Sequence, residues 1–152
     1  MRSLADPNLK DDNGLSRFDR TKRFSLSNRG QPDHYSEVLT PDDEICGSTA
    51  YEDNGCVHFN SGILNKFAYL IAEGGTHRGT EVTGIGRYKL ARLAYRAMTI
   101  GLNQSSGLIE AASAFSEGCL ELQSAKAAGI TKFDCDQVSN AQRATGLEAP
   151  SS

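Results

Sequence analysis

At 152 residues the chain holds enough material for one hydrophobic core and too little for two, and its 38% hydrophobic and 23% charged residues are ordinary for a globular protein. A formal charge of -3 lacks the basic excess that nucleic acid requires, and no apolar run is long enough to cross a bilayer. Nucleic acid and membrane are therefore excluded as expected partners.

Met1 to Lys10 has no apolar core of the kind a signal peptide carries, which taken alone points to the cytosol. The cysteines point the other way. Cys46 with Cys56 and Cys119 with Cys135 are two even, short-range pairs of the kind secreted proteins oxidise, at spacings that match no usual zinc motif. Four reduced, buried thiols are the alternative.

In chain order, residues 6–29 are polar and charged, with Asp11, Asp12, Arg17, Arg20, Lys22, Arg23 and Arg29 around isolated Phe18 and Phe24. No amphipathic period holds there, and a solvated loop is predicted. Residues 31–54 are also predicted as loop, with Pro32, Pro41 and the acidic Asp42-Asp43-Glu44. After His58 four segments carry helical period. The first, about Gly62 to Glu73, puts Ile63, Phe67, Leu70 and Ile71 on one face, with Asn60 or Ser61 as N-cap and Gly74-Gly75 as the stop. The second, about Gly86 to Leu102, repeats Tyr88, Ala91, Tyr95, Met98 and Leu102 as its predicted core stripe. The third, about Gly107 to Ala125, lines up Leu108, Ala112, Phe115, Cys119 and Leu122, so that Cys119 points inward. The fourth, about Cys135 to Thr145, is predicted to open on a capping box of Asp134 and Gln137 and to end at Gly146. Asn103-Gln104-Ser105 matches a glycosylation sequon, a pattern too common by chance to weigh.

The three histidines, His34, His58 and His77, include no His-Glu-x-x-His pair that would place two imidazoles around zinc on one helix face. No Gly-x-Ser-x-Gly elbow occurs, and Gly84-Ile85-Gly86 lacks the third glycine of a dinucleotide fingerprint. There remains the run from Asp53 to Lys66, in which a carboxylate precedes His58 by five residues across a glycine-containing turn. From there Asp53 can accept a hydrogen bond from one ring nitrogen of His58, fix its tautomer and leave the other nitrogen facing outward. A histidine near a helix start with a purely structural hydrogen bond is the alternative.

This run, Asp53-Asn54-Gly55-Cys56-Val57-His58-Phe59-Asn60-Ser61-Gly62-Ile63-Leu64-Asn65-Lys66, resembles the Asp-Asn-Gly-Gly-Val-His-x-Asn-Ser-Gly-Ile-x-Asn-Lys signature of the thermolysin-like zinc metallopeptidases, with Cys56 in place of the second glycine. The resemblance continues through Gly74-Gly75-Thr76-His77, Gly84-Ile85-Gly86-Arg87 and Leu93-Ala94-Tyr95-Arg96-Ala97. Upstream, Arg2-Ser3-Leu4-Ala5-Asp6-Pro7 and Pro32-Asp33-His34-Tyr35-Ser36 resemble two family segments that lie closer together in the family, so the polar stretch between them looks like an inserted loop. Cys46 also lies in inserted sequence, which with Cys56 at a glycine position implies a local disulfide before His58. The Cys119 and Cys135 pair resembles a bridge of secreted bacterial members.

The resemblance implies a mainly α fold, a compact bundle of four to five helices with a long irregular N-terminal region. Residues 1–57 would form that irregular segment, 58–147 the helical domain and 148–152 a tail. It implies the C-terminal half of a secreted metalloendopeptidase that hydrolyses peptide bonds with zinc-activated water. In it His58 would donate to the oxyanion of the transition state, Asp53 would orient His58, and Arg2 and Asn54 would bind substrate. The zinc ligands, the general-base glutamate and most calcium ligands of the family fall upstream of the residue matched by Arg2. Zinc and calcium are thus expected in the intact enzyme and not on this chain. The expected partners are a peptide substrate and the zinc-binding N-terminal half, and the chain alone is expected to be inactive. The alternatives are a stand-alone helical protein-binding or inhibitory module and a truncated fragment.

Overall fold

The computed structural model describes residues 31–43, 46 and 55–148. Two units divide the chain, Met1–Lys66 and Phe67–Ser152, and the boundary falls inside the first α-helix. The polar stretch predicted over 6–29 and all but the first residue of the tail predicted over 148–152 lie outside the described residues, as do Arg2, Asp53 and Asn54.

In the first unit the described part of the segment predicted as loop contains a short 3-10 turn, Tyr35–Glu37, capped by the His34 ring, which accepts from Ser36 N at 3.1 Å. A second turn comes after it, in which the Asp43 carboxylate accepts from Thr40 N at 2.7 Å. Helix α1 then runs Val57–Glu73. It begins five residues before the predicted start near Gly62, and neither Asn60 nor Ser61 caps it. Both lie inside the first turns with their side chains committed elsewhere. Asn60 bonds to Leu39, and Ser61 Oγ donates to the His58 carbonyl at 2.7 Å. Gly62, read as the helix opening, is instead a point of close approach, because a Cβ there would collide with the Pro32 carbonyl and the Gln31 side chain.

The second unit starts from the end of α1, whose Phe67, Leu70 and Ile71 are buried on the face the sequence predicts. The stop at Gly74 also holds, with φ 78 there. Beyond it the chain forms a two-stranded antiparallel hairpin, β1 (Gly74–His77) and β2 (Thr80–Thr83), in register Gly74↔Thr83 to His77↔Thr80. Its turn, Arg78 at φ 45 and Gly79 at φ 81, has two positive φ values, as a type I′ hairpin turn requires. Ile85 N and Gly86 N then donate to the Ile71 and Ala72 carbonyls at 2.8 and 3.0 Å, which satisfies acceptors at the C-terminal end of α1.

Helix α2 (Arg87–Arg96) continues into a π turn, Ala97–Gly101. Here the predicted stripe is wrong. Tyr88, Tyr95 and Met98 are 69%, 66% and 70% exposed, while Leu93 and Ala97 are buried. Two apolar stripes coexist on this helix. Leu90, Leu93, Ala94 and Ala97 repeat at the same spacings of three and four, and that is the one buried or half-buried. Helix α3 (Leu108–Ser124) buries Ala112 and Cys119 as predicted, and half-buried Phe115 meets Phe67 edge-on with ring centroids 5.4 Å apart. Small residues let α3 come close to its neighbour, since a Cβ on Gly101 would lie 2.7 Å from the Ala114 Cβ.

Helix α4 (Lys132–Thr145) starts three residues earlier than predicted, and its capping box is Thr131 with Asp134. Asp134 Oδ2 accepts from Thr131 N at 2.7 Å, and Thr131 Oγ1 accepts from Asp134 N at 3.4 Å. Gln137, the predicted box partner, is buried, and its Oε1 accepts from Thr83 N at 2.7 Å, so it ties the hairpin to α4. The helix ends at Gly146, φ 69, as predicted, and Leu147 N donates to the Gln142 carbonyl at 2.9 Å. Cys119 and Cys135 are joined, which pins α3 to the first turn of α4.

Asp134 is 2% exposed and receives both Lys89 Nζ bonds at 2.8 Å. Burial pushes its carboxyl pKa up. The hydrogen bonds from Lys89 and Thr131, with the Lys89 charge, more than offset this and hold the carboxyl below the ordinary aspartate range. The folded carboxylate therefore takes up a proton less readily than the unfolded one, so acid favours unfolding. Its contribution is complete above about pH 5 and is lost as the pH falls through the ordinary aspartate pKa towards the lower folded value. Urea unfolding followed by circular dichroism between pH 3 and 7 should show this decline, and Asp134→Asn should flatten it while lowering stability at neutral pH.

Candidate functional site

The site is built at the N-terminal end of α1. Gly55 and Cys56 take φ values of 82 and 63, so the chain turns through two left-handed residues immediately before the helix. Cys56 then supplies the carbonyl that accepts from Asn60 N at 2.8 Å, the first bond of α1. His58 is the second residue of that turn, and its side chain is exposed. It lies within the helix, whereas the sequence predicts it just ahead of one. Asp53 and Asn54, predicted to orient His58 and to bind substrate, lie outside the described residues, and so does Arg2.

Three fastenings hold the turn that carries His58. Gln31 Nε2 donates to the His58 carbonyl, and the Ser61 hydroxyl donates to the same oxygen. Asn60 presents its amide edge-on to the backbone of Leu39, accepting from Leu39 N at 2.9 Å and donating to Leu39 O at 2.8 Å. Cys46 and Cys56 are disulfide-bonded, and with Leu39 and Phe59 they form an apolar cluster in which Cys56 and Leu39 are almost wholly buried. The strap Gln31–Leu39 is thus held against the first turns of α1 by hydrogen bonds, and the loop that opens α1 by a covalent link. Gln31 and Asn60 are the contributors that sequence reasoning missed. The signal for Asn60 was its own type, because a carboxamide carries a donor and an acceptor spaced to match one peptide unit.

Replacing Asn60 with alanine leaves Leu39 N and Leu39 O without partners in a buried place. It should lower stability by about 2 kcal/mol. Proteolysis between residues 31 and 43, timed against wild type, should accelerate if the strap depends on this side chain, and an unchanged rate would count against it.

Among the described residues no three of His, Cys, Asp and Glu converge where a metal ion could sit, and all four cysteines are in disulfides. These residues do not fit a zinc site. No helix among the described residues is long and apolar enough to cross a membrane.

The family model for the thermolysin metallopeptidase α-helical domain matches residues 1–147. The chain belongs to this family. It is similar to a bacillolysin of Bacillus caldolyticus and to a thermolysin of Alicyclobacillus acidocaldarius subsp. acidocaldarius. Each is 38% identical over 118 residues, which cover 78% of this chain and 19% of the relative. It is also similar to a bacillolysin of Bacillus cereus, 46% identical over 101 residues, or 66% of this chain and 16% of that relative. The chain thus spans about a fifth of the length of the curated relatives it matches. The mainly helical architecture of the described residues agrees with the α-helical domain of this family, which is one of zinc metallopeptidases.

Proposed function

We propose that this chain acts as the C-terminal helical half of a secreted, zinc-dependent metalloendopeptidase and supplies the histidine that stabilises the transition state. The observation that carries this is the placement of His58. Within a family match over residues 1–147, its side chain is exposed on a turn that a disulfide and side-chain hydrogen bonds hold in place. A donor fixed in advance toward the place where negative charge develops costs no reorganisation at the moment of reaction.

In this reading His58 donates through its outward nitrogen to the oxyanion that forms on the scissile carbonyl. Asp53 accepts from the other nitrogen and stabilises the charged ring. Arg2 binds a substrate carbonyl on the leaving-group side, and Asn54 binds the peptide backbone. The N-terminal half would hold the zinc, whose chemistry would be to polarise the carbonyl and activate water, and calcium is expected only in the intact enzyme. The two disulfides support an oxidising, extracellular setting. The chain by itself is proposed to be inactive.

The test is a chimera in which this chain replaces the helical domain of the Bacillus cereus bacillolysin. Peptide hydrolysis by the chimera, lost on His58→Ala, supports the assignment. Zinc-dependent hydrolysis by the purified chain alone would refute the proposed dependence on the other half.

A further inference from the structure

We propose that the Cys46–Cys56 disulfide is a positioning device for His58, which sets the helix turn that carries it. This rests on the proposed role of His58.

Cys56 is an unusual residue for its place. Its φ of 63 lies in the left-handed region, which a glycine occupies freely and a side chain with a Cβ does not. It directly follows a glycine at φ 82, so the corner already has one residue suited to it. The cysteine holds this strained conformation fully buried, with its sulfur bonded to Cys46. Its carbonyl opens the hydrogen-bonded ladder of α1. A displacement of Cys56 is therefore transmitted to His58 two residues later.

Helix ends fray unless something holds them. The first turn of α1 has no acidic side chain to oppose its dipole, and the half-cystine side chain cannot act as a Ser or Asp N-cap would. Val57 is 52% exposed and the His58 side chain is exposed, so burial of these two residues does not anchor the turn either. To the hydrogen bonds of Gln31, Ser61 and Asn60 the disulfide adds a covalent anchor, through the Leu39 and Phe59 cluster. Cys46 is in turn held by its backbone N–H, which donates to the Asp43 carbonyl at 2.8 Å. The sequence separation of the bridge is 10, and the closed loop contains both Asp53 and Asn54. The covalent link bears on His58 through Cys56, two residues before it.

Two double variants test this. Cys46→Ala with Cys56→Gly removes the bridge and leaves a residue at ease with the backbone. Cys46→Ala with Cys56→Ala removes the bridge and keeps the Cβ. In the full chain, amide hydrogen exchange at Asn60, Ser61 and Gly62 should accelerate about tenfold or more in both, and more in the alanine variant, with α3 and α4 unchanged. In the chimera, kcat should fall about tenfold with KM within about twofold, and the glycine variant should recover part of the loss. If the bridge acts through His58, its removal in a His58→Ala background should cause no further loss of kcat.

Unchanged exchange in the first turn of α1 overturns the proposal, as does a uniform rise through α3 and α4, which would mark a general staple. Additive losses of kcat also overturn it. Should His58→Ala leave kcat intact, the role of His58 fails, and with it the positioning claim. The exchange data would then report only on what holds the turn.

Discussion

Replacement of His58 by alanine in the chimera is expected to lower kcat by on the order of a hundredfold or more, while KM changes by no more than about threefold. The split follows from where the contact is made. A donor aimed at the oxyanion bonds weakly to the ground-state carbonyl and strongly to the charge that replaces it, so its loss raises the barrier and leaves substrate affinity nearly intact. The side chain is exposed, and the hydrogen bonds from Gln31 and Ser61 go to the His58 carbonyl, so the substitution leaves these fastenings in place. Alanine is also a better helix former than histidine. Loss of the proposed Asp53 hydrogen bond at this exposed side chain should cost no more than about 1 kcal/mol of stability. A kcat within about threefold of wild type would remove His58 from the mechanism.

The largest effect on stability is expected at the other disulfide. Cys119→Ala with Cys135→Ala should destabilise the second unit by about 3 kcal/mol, as expected for a bridge closing a loop of this size, and lower its Tm by on the order of 10 °C. Cys119 is fully buried and Cys135 is 8% exposed, so the bridge also fills space between α3 and α4. Its loss acts mainly by releasing the loop between them in the unfolded chain, and the proposed site in the first unit should be spared. Calorimetry of the variant, with hydrogen exchange at the first turn of α1 as the control, checks both parts. A Tm within about 2 °C of wild type would mean that the helix contacts alone hold α3 and α4 together.

The local chemistry of the chain was readable where it is carried by short-range spacing. The buried face of α1, the inward Cys119, the stops at Gly74 and Gly146 and the family signature all depend on residues within a turn or two of each other. The structure has each of these helical features, and the family match covers the signature. The errors fall where two local solutions were equally good. On α2 the stripe of Tyr88, Tyr95 and Met98 and the stripe of Leu90, Leu93 and Ala97 have the same period, and no arithmetic on the sequence separates them. At Thr131 and Asp134 the box was displaced because Asp134 suits either role in it. The hairpin went unread because its strands are four residues each and its turn, Arg78-Gly79, is not among the commonest pairs.

Residue types at fixed short spacings were enough for the helical class and the family resemblance, and it is the resemblance that implies a local Cys46–Cys56 bridge, a Cys119–Cys135 bridge and His58 as the candidate donor. Three features needed the folded chain. They are the buried face of α2, the extension of α1 back to Val57 so that His58 enters its first turn, and the hold on that turn by Asn60 and Gln31. The physical reason is common to all of these. Each depends on a partner distant in sequence, α3 for α2 and the Gln31–Leu39 strap for α1, and a local pattern carries no information about which distant surface will meet it.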